Sequence, residues 1–285
     1  MDIKERIESL HSLPPIPETA TQILNLRAIP DVKLEKVVEV IEKDPMLAAQ
    51  IVGYANSAFF GQKGSVKSLK DATFRVLGMN AAMNMALALS VGSTFKIPQT
   101  GPIGAKAVWQ SSIYSALLMQ HLCMFIPWGE RPNPGTAYLV GLLYNMGLLV
   151  MGHLFADEYN ELNSYLEKNN ENSIFEAEKD ILGITHIEIG KKVVQMWNLP
   201  EELIAVMTHF QDENYSGEYE KYIQLFKVVE TLLVPHGLIY SDSADELSVE
   251  ILSKLHLDKD DVIVAAEEVL QEDEIIKKLV TQMCA

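Results

Sequence analysis

Residues 138–155 read YLVGLLYNMGLLVMGHLF, and this stretch decides the fold. It is apolar on every side and long enough to cross a bilayer. Yet Gly141, Gly147 and Gly152 interrupt it, Asn145 sits at its middle, His153 lies near its end, and no basic flank follows. A helix that is apolar all round but polar at its centre, with amphipathic stretches on either side, reads as the buried central helix of a large helical domain. A membrane span is the competing reading, and the polar centre counts against it. That centre, Tyr144-Asn145, also carries the functional argument. A buried Asn needs hydrogen-bond partners at its own depth, which neighbouring helices must supply. Asn145 is then either a core residue tying helices together or one wall of a present or former active site.

The surrounding composition fits a globular helical protein. The 285 residues are 48% hydrophobic and 22% charged, enough for a substantial core or two lobes. A formal net charge of −16 repels phosphate backbones, and no Lys/Arg cluster offsets it, so nucleic-acid binding is not expected. The start, MDIKERIESLH, is charged and amphipathic and has no signal-peptide core. Cys123 and Cys284 are far apart and form no CxxC, which suits a reducing cytoplasm and argues against a zinc knuckle or disulfide framework.

Working outward, helix signals follow one another with almost no strand signal. Leu13-Pro14-Pro15-Ile16-Pro17 is a stiff lead-in, and helical patterning starts at Glu18. Asp31 is expected to cap a helix carrying Leu34, Val37, Val38 and Ile41; Asp44-Pro45 caps and opens the next, which ends in the turn at Ala55-Asn56-Ser57-Ala58-Phe59-Phe60-Gly61. Asn56 reads as a helix closer; Phe59 and Phe60 are either core or an exposed contact patch. Ser68 caps a short helix closed by Gly78, and a small-residue helix runs from about Met79 to Ser93. Residues 99–104 form a linker, followed by a long helix over roughly 103–125. After the central helix come a polar-faced helix over 157–169 and two capping boxes, Ser173 with Glu176 and Thr185 with Glu188, separated by Gly183. Pro200 opens a helix holding His209, a further helix spans about 219–234, and an acidic helical tail runs from Asp242 with Asp258 as a cap. The fold class is all-α: two packed helical lobes over 1–98 and 99–235, then an acidic extension over 236–285.

Two ordered sets of residues resemble the HDOD family, the HD-related output domains of bacterial signalling proteins. The first is Leu13-Pro14-Pro15-Ile16-Pro17, Asp44-Pro45, Ala55-Asn56-Ser57-Ala58 and Leu77-Gly78. The second is Trp109 with Ser112, Gly141-Leu142-Leu143 through Gly147, Leu182-Gly183 through His186 and Gly190, and Trp197-Asn198-Leu199-Pro200. The resemblance covers about residues 10–235 and implies an HD-like helical bundle at the C-terminal side. HD phosphohydrolases hold divalent metal with a His, a His-Asp pair and a later Asp, because imidazole and carboxylate suit a metal that activates water and polarises a phosphoryl oxygen. Carried over, the first His falls at Ser111, the His-Asp pair at Tyr144-Asn145 and the final Asp near Glu230. His186 is kept, and a paired-His position reads His209-Phe210. A hydroxyl, a phenol and an amide are poor replacements for charged or imidazole ligands. The expected remnant pocket is therefore Ser111, Tyr144, Asn145, His186, His209 and Glu230, at least four of them lining one cavity or hydrogen-bonded cluster, with no metal and no cofactor.

The residues read alone agree. The seven histidines, His11, His121, His153, His186, His209, His236 and His256, make no HxxxH or HExxH cluster, and Gly61-Gln62-Lys63-Gly64-Ser65 lacks P-loop spacing. His186 shares a helical stripe with Ile189, Val193 and Trp197, so a hydrogen-bonded core role competes with a ligand role. For His209 the plain alternative is capping the last carbonyls of its helix, and Trp109 and Trp197 read as packing residues. The leading functional expectation is a non-catalytic, cytoplasmic signalling or scaffolding module acting through a protein partner, with homo-oligomerisation left open. The alternatives are a nucleotide-like small-ligand binder without turnover and a metal-dependent phosphohydrolase with an altered site.

Overall fold

The computed structural model describes residues 13, 15–56, 66–169, 173–238 and 246–284, and among these there is no β-strand. The first layer contains α1 (Glu18–Arg27), α2 (Leu34–Glu42), α3 (Pro45–Ala55), α4 (Leu69–Asp71, continued by a π-helix over Ala72–Leu77) and α5 (Met79–Gly92). The second contains α6 (Ala105–Cys123), α7 (Pro134–Leu143), α8 (Met146–Leu154), α9 (Ala156–Lys168), α10 (Ile174–Leu182), α11 (His186–Met196), α12 (Glu201–His209) and α13 (Glu220–Leu233). The extension carries α14 (Val249–Leu255), α15 (Lys259–Leu270) and α16 (Asp273–Met283).

Local chemistry sets most of these boundaries. Asp44 accepts from the backbone N–H of Met46 and Leu47 at 3.0 Å each, and Pro45 takes the first position of α3. Thr185 and Glu188 form a reciprocal capping box at the start of α11, and Ser173 accepts from Glu176 N–H at the start of α10. Asn56 closes α3 and binds the backbone of Val66 through both ends of its amide, at 2.8 and 3.0 Å. One expected cap is corrected. Asp31 lies in a turn at φ 54°, and α2 begins after Lys33 with no side-chain cap. Its register comes instead from burial of Val37, Val38 and Ile41. Residues 1–12, Pro14, the turn over 57–65 with Phe59, Phe60 and the Gly61–Ser65 stretch, and Asp242 lie outside the described residues.

The expected single helix over 138–155 is two helices. α7 stops at Leu143, Asn145 takes φ −82°, ψ 8°, and α8 restarts at Met146. The backbone tightens at the junction, where Leu148 N–H donates to the Asn145 carbonyl three residues back. The run Pro134–Leu154 is long and apolar enough to cross a membrane by length and composition, but 89% of its apolar window is buried inside the fold. Its glycines permit this burial. A Cβ at Gly141 would lie 2.6 Å from the Ala116 nitrogen on α6, and one at Gly147 only 1.8 Å from the His186 carbonyl oxygen on α11. α6 and α11 thus approach the central pair of helices at backbone distance.

One continuous apolar core runs from α1 to α16. Trp109 of α6 fills the space over Gly92 of α5, where a Cβ would come within 2.0 Å of the indole. Trp197 stacks on Phe95 with ring centroids 5.7 Å apart. Both tryptophans are packing residues. In the extension, α15 and α16 pack against α6, and α16 also reaches α3. Tyr114 Oη donates to Asp273 at 3.0 Å, and His121 Nε2 lies 2.7 Å from Glu268.

Candidate functional site

The break between α7 and α8 positions the site. Asn145, freed from the middle of a helix, donates through Nδ2 to Ser111 Oγ on α6 at 3.0 Å, and both residues are buried. His186 is the first residue of α11, reached from α10 through the left-handed turn at Gly183 (φ 73°). That turn folds Glu178 of α10 back onto the start of α11. One carboxylate oxygen accepts the His186 backbone N–H at 3.1 Å, and the other lies 2.7 Å from His186 Nδ1. Glu178 is fully buried and His186 is 3% exposed. The carboxylate thereby satisfies an orphan donor of the helix start and fixes the imidazole. Phe175 stacks nearly flat on that ring, at 5.4 Å and 11°.

Ser111, Asn145 and His186 line one partly open cavity of about 130 Å³, together with Gln110 and the apolar Ile103, Val108, Leu148 and Ile174. The other expected members are not on its wall. Tyr144 turns its ring into an aromatic cluster, 4.0 Å from Phe226 and 5.5 Å from Phe210 by centroid. Its hydroxyl is buried without a hydrogen-bond partner. Burial first, then the Glu230 and Glu178 carboxylates, hold that hydroxyl well above the usual phenol range, in its protonated form. Glu230, also buried, lines a separate and larger groove of about 640 Å³ with Phe210, Tyr215 and Lys227. His209 belongs to neither wall and stacks on Tyr215 at 4.3 Å rather than capping carbonyls. The expected convergence of at least four of the six on one cavity or hydrogen-bonded cluster is thus split. Tyr144 packs on Phe226 and Phe210, whereas its neighbour Asn145 lines the cavity.

Glu178 was absent from the sequence-derived set. Its signal is a carboxylate inside the apolar stripe Ile174, Glu178, Leu182, spaced four and eight residues along α10; all three are buried. A charge on the buried face of an amphipathic helix demands a partner.

The donor set does not fit the divalent metal of HD phosphohydrolases. Ser111 is neutral and engaged by Asn145, Asn145 offers an amide, and Tyr144 faces away as a protonated phenol. Among the described residues no group of three or more His, Cys, Asp or Glu side chains is placed to share a metal ion.

The described residues form an all-α bundle with a broken central helix and a polar cavity beside it. A model of the HDOD domain matches residues 13–213, and the chain belongs to the HDOD family. The crystal structure of a Marinobacter aquaeolei VT8 protein named for signal transduction is 32% identical, with a TM-score of 0.82, covering 100% of this chain and 62% of that one. An uncharacterized protein of Treponema pallidum (strain Nichols) is 25% identical over 223 residues, 78% of this chain and 41% of that protein. The chain therefore spans less than two thirds of the length of either relative. A Shewanella amazonensis SB2B protein named as a phosphohydrolase is 19% identical with a TM-score of 0.72, covering 99% of this chain and 97% of that one, a likeness of fold alone.

Proposed function

We propose that the chain is a non-catalytic output or scaffolding module of a bacterial cytoplasmic signalling system that acts by binding a protein partner. The observation that carries this reading is the pair Tyr144-Asn145 at the position where the resemblance puts the metal-binding His-Asp pair. Its phenol is turned into the aromatic cluster, and its amide, held to Ser111 through Nδ2, brings no charge to a metal. Without a metal, neither an activated hydroxide nor a Lewis acid serves a phosphate ester. The Marinobacter relative named for signal transduction supports the same direction.

The test has two arms. Purified protein assayed with Mn²⁺ or Mg²⁺ against phosphomonoesters and cyclic nucleotides is expected to show no turnover above the buffer rate. Tagged protein in source cells, crosslinked before lysis, is expected to retain a specific signalling protein. Turnover that disappears in His186→Ala or Glu230→Ala would overturn the reading in favour of an altered phosphohydrolase.

A further inference from the structure

We propose that the cavity between α6, α8, α10 and α11 is a binding site for a compact, uncharged, single-ring molecule carrying an N–H beside a C=O, a cyclic amide. This goes beyond partner binding and does not depend on it.

Size sets the first limit. The cavity holds about 130 Å³. An engineered apolar cavity of about 150 Å³ takes one benzene, so this one suits a single ring.

Polarity sets the second. Asn145 Nδ2 is spent on Ser111, which leaves the Asn145 Oδ1 with no hydrogen-bond partner among the described residues. The 2.7 Å contact of His186 Nδ1 with Glu178 implies Nδ1–H donating to the carboxylate. Nε2, on a ring that is 97% buried at the cavity wall, then has no partner among the described residues. In that tautomer Nε2 is an acceptor, and the Ser111 hydroxyl proton is available as a donor. With the half-buried Gln110 amide at the same wall, these two acceptors and one donor complement an N–H/C=O edge. A ligand that covers these polar atoms without matching them would leave them unsatisfied, which favours one with matching groups over a purely apolar one.

Charge sets the third. Among the described residues no Lys or Arg lines the cavity, and the Glu178 carboxyl group lies behind the imidazole. An anion would enter without a counter-charge. A cation would be buried against Ile103, Val108, Leu148 and Ile174, with both Glu178 oxygens already engaged.

Chemical-shift titration of the full chain with δ-valerolactam and with uracil tests the site, with benzoate, inorganic phosphate and piperidinium as charged controls. Saturable shifts at the His186 ring and Asn145 side chain are expected, with a Kd on the order of 1 mM or tighter. The charged controls should bind at least about tenfold more weakly. Ala107→Phe, at a half-buried position on the cavity wall, should weaken lactam binding by about tenfold or more. Should that variant not fold, the wild-type shift map still locates the site. No saturable shift with either lactam, benzoate binding as tightly, or shifts confined to other surfaces would each overturn the proposal.

Discussion

At the residue scale the site rests on two buried groups with opposite accounts. Glu178 is fully buried and every contact it makes is structural: it serves the His186 backbone N–H and fixes the imidazole. Glu178→Ala leaves two donors unsatisfied in the interior, and breaking a buried pair this way costs about 3 kcal/mol. A urea midpoint shift with an unchanged slope measures it, and a loss below about 1 kcal/mol would contradict the account. Tyr144 is the reverse case, with a buried hydroxyl that has no hydrogen-bond partner. Tyr144→Phe removes that unsatisfied group and keeps the ring on Phe226, so stability is expected to stay level or rise by up to about 1 kcal/mol. A loss above about 1.5 kcal/mol would show that the hydroxyl has a role in the native state.

At the element scale the deciding feature is how closely helices approach the broken central rod. Gly147 meets the His186 carbonyl at a distance that no side chain tolerates. Gly147→Ala must push α8 away from α11 and open the cavity between them. A cost of about 3 kcal/mol is expected, with loss of the His186–Glu178 geometry read from the imidazole resonances. Gly183→Ala is the control: its φ of 73° is strained for alanine but nothing lies within 4 Å of the new Cβ, so about 1 kcal/mol is expected. An equal cost at both positions would mean that close packing is not what Gly147 supplies. Much at this scale was legible in the sequence. The caps at Asp44, Ser68, Thr185 and Asp258 and the all-round apolarity of 138–155 are local signals, and they marked helices where they occur. The break at Asn145 was not legible, because it is imposed by Ser111 on another helix and by α11 pressing on Gly147. For the same reason the ordered motifs put all six residues in one pocket, whereas the cavity wall holds Ser111, Asn145 and His186 but not Tyr144, His209 or Glu230.

At the scale of the whole molecule, the core is continuous, and its buried tyrosines report on it. Tyr54 on α3, Tyr114 on α6, Tyr138 on α7, Tyr144 at the junction, Tyr159 on α9 and the half-buried Tyr222 on α13 all have hydroxyls held above the usual phenol range, chiefly by loss of solvent. Tyr222 is raised to about 12. A folded-state pKa above the unfolded value means that the fold is favoured below the unfolded pKa of about 10 and loses that advantage as pH climbs toward the folded value. Ionisation of the five buried ones, Tyr54, Tyr114, Tyr138, Tyr144 and Tyr159, is therefore expected to require unfolding. Because Tyr54 in the first layer and Tyr159 in the second share one core, their phenolates should form together, in step with the loss of helical circular dichroism. Monitoring near-ultraviolet phenolate absorbance and helicity through the same alkaline titration checks this. Two resolved steps, with Tyr54 ionising while the helices of the second layer persist, would show that the layers unfold independently. The short linker over 99–104 would then be a true domain boundary.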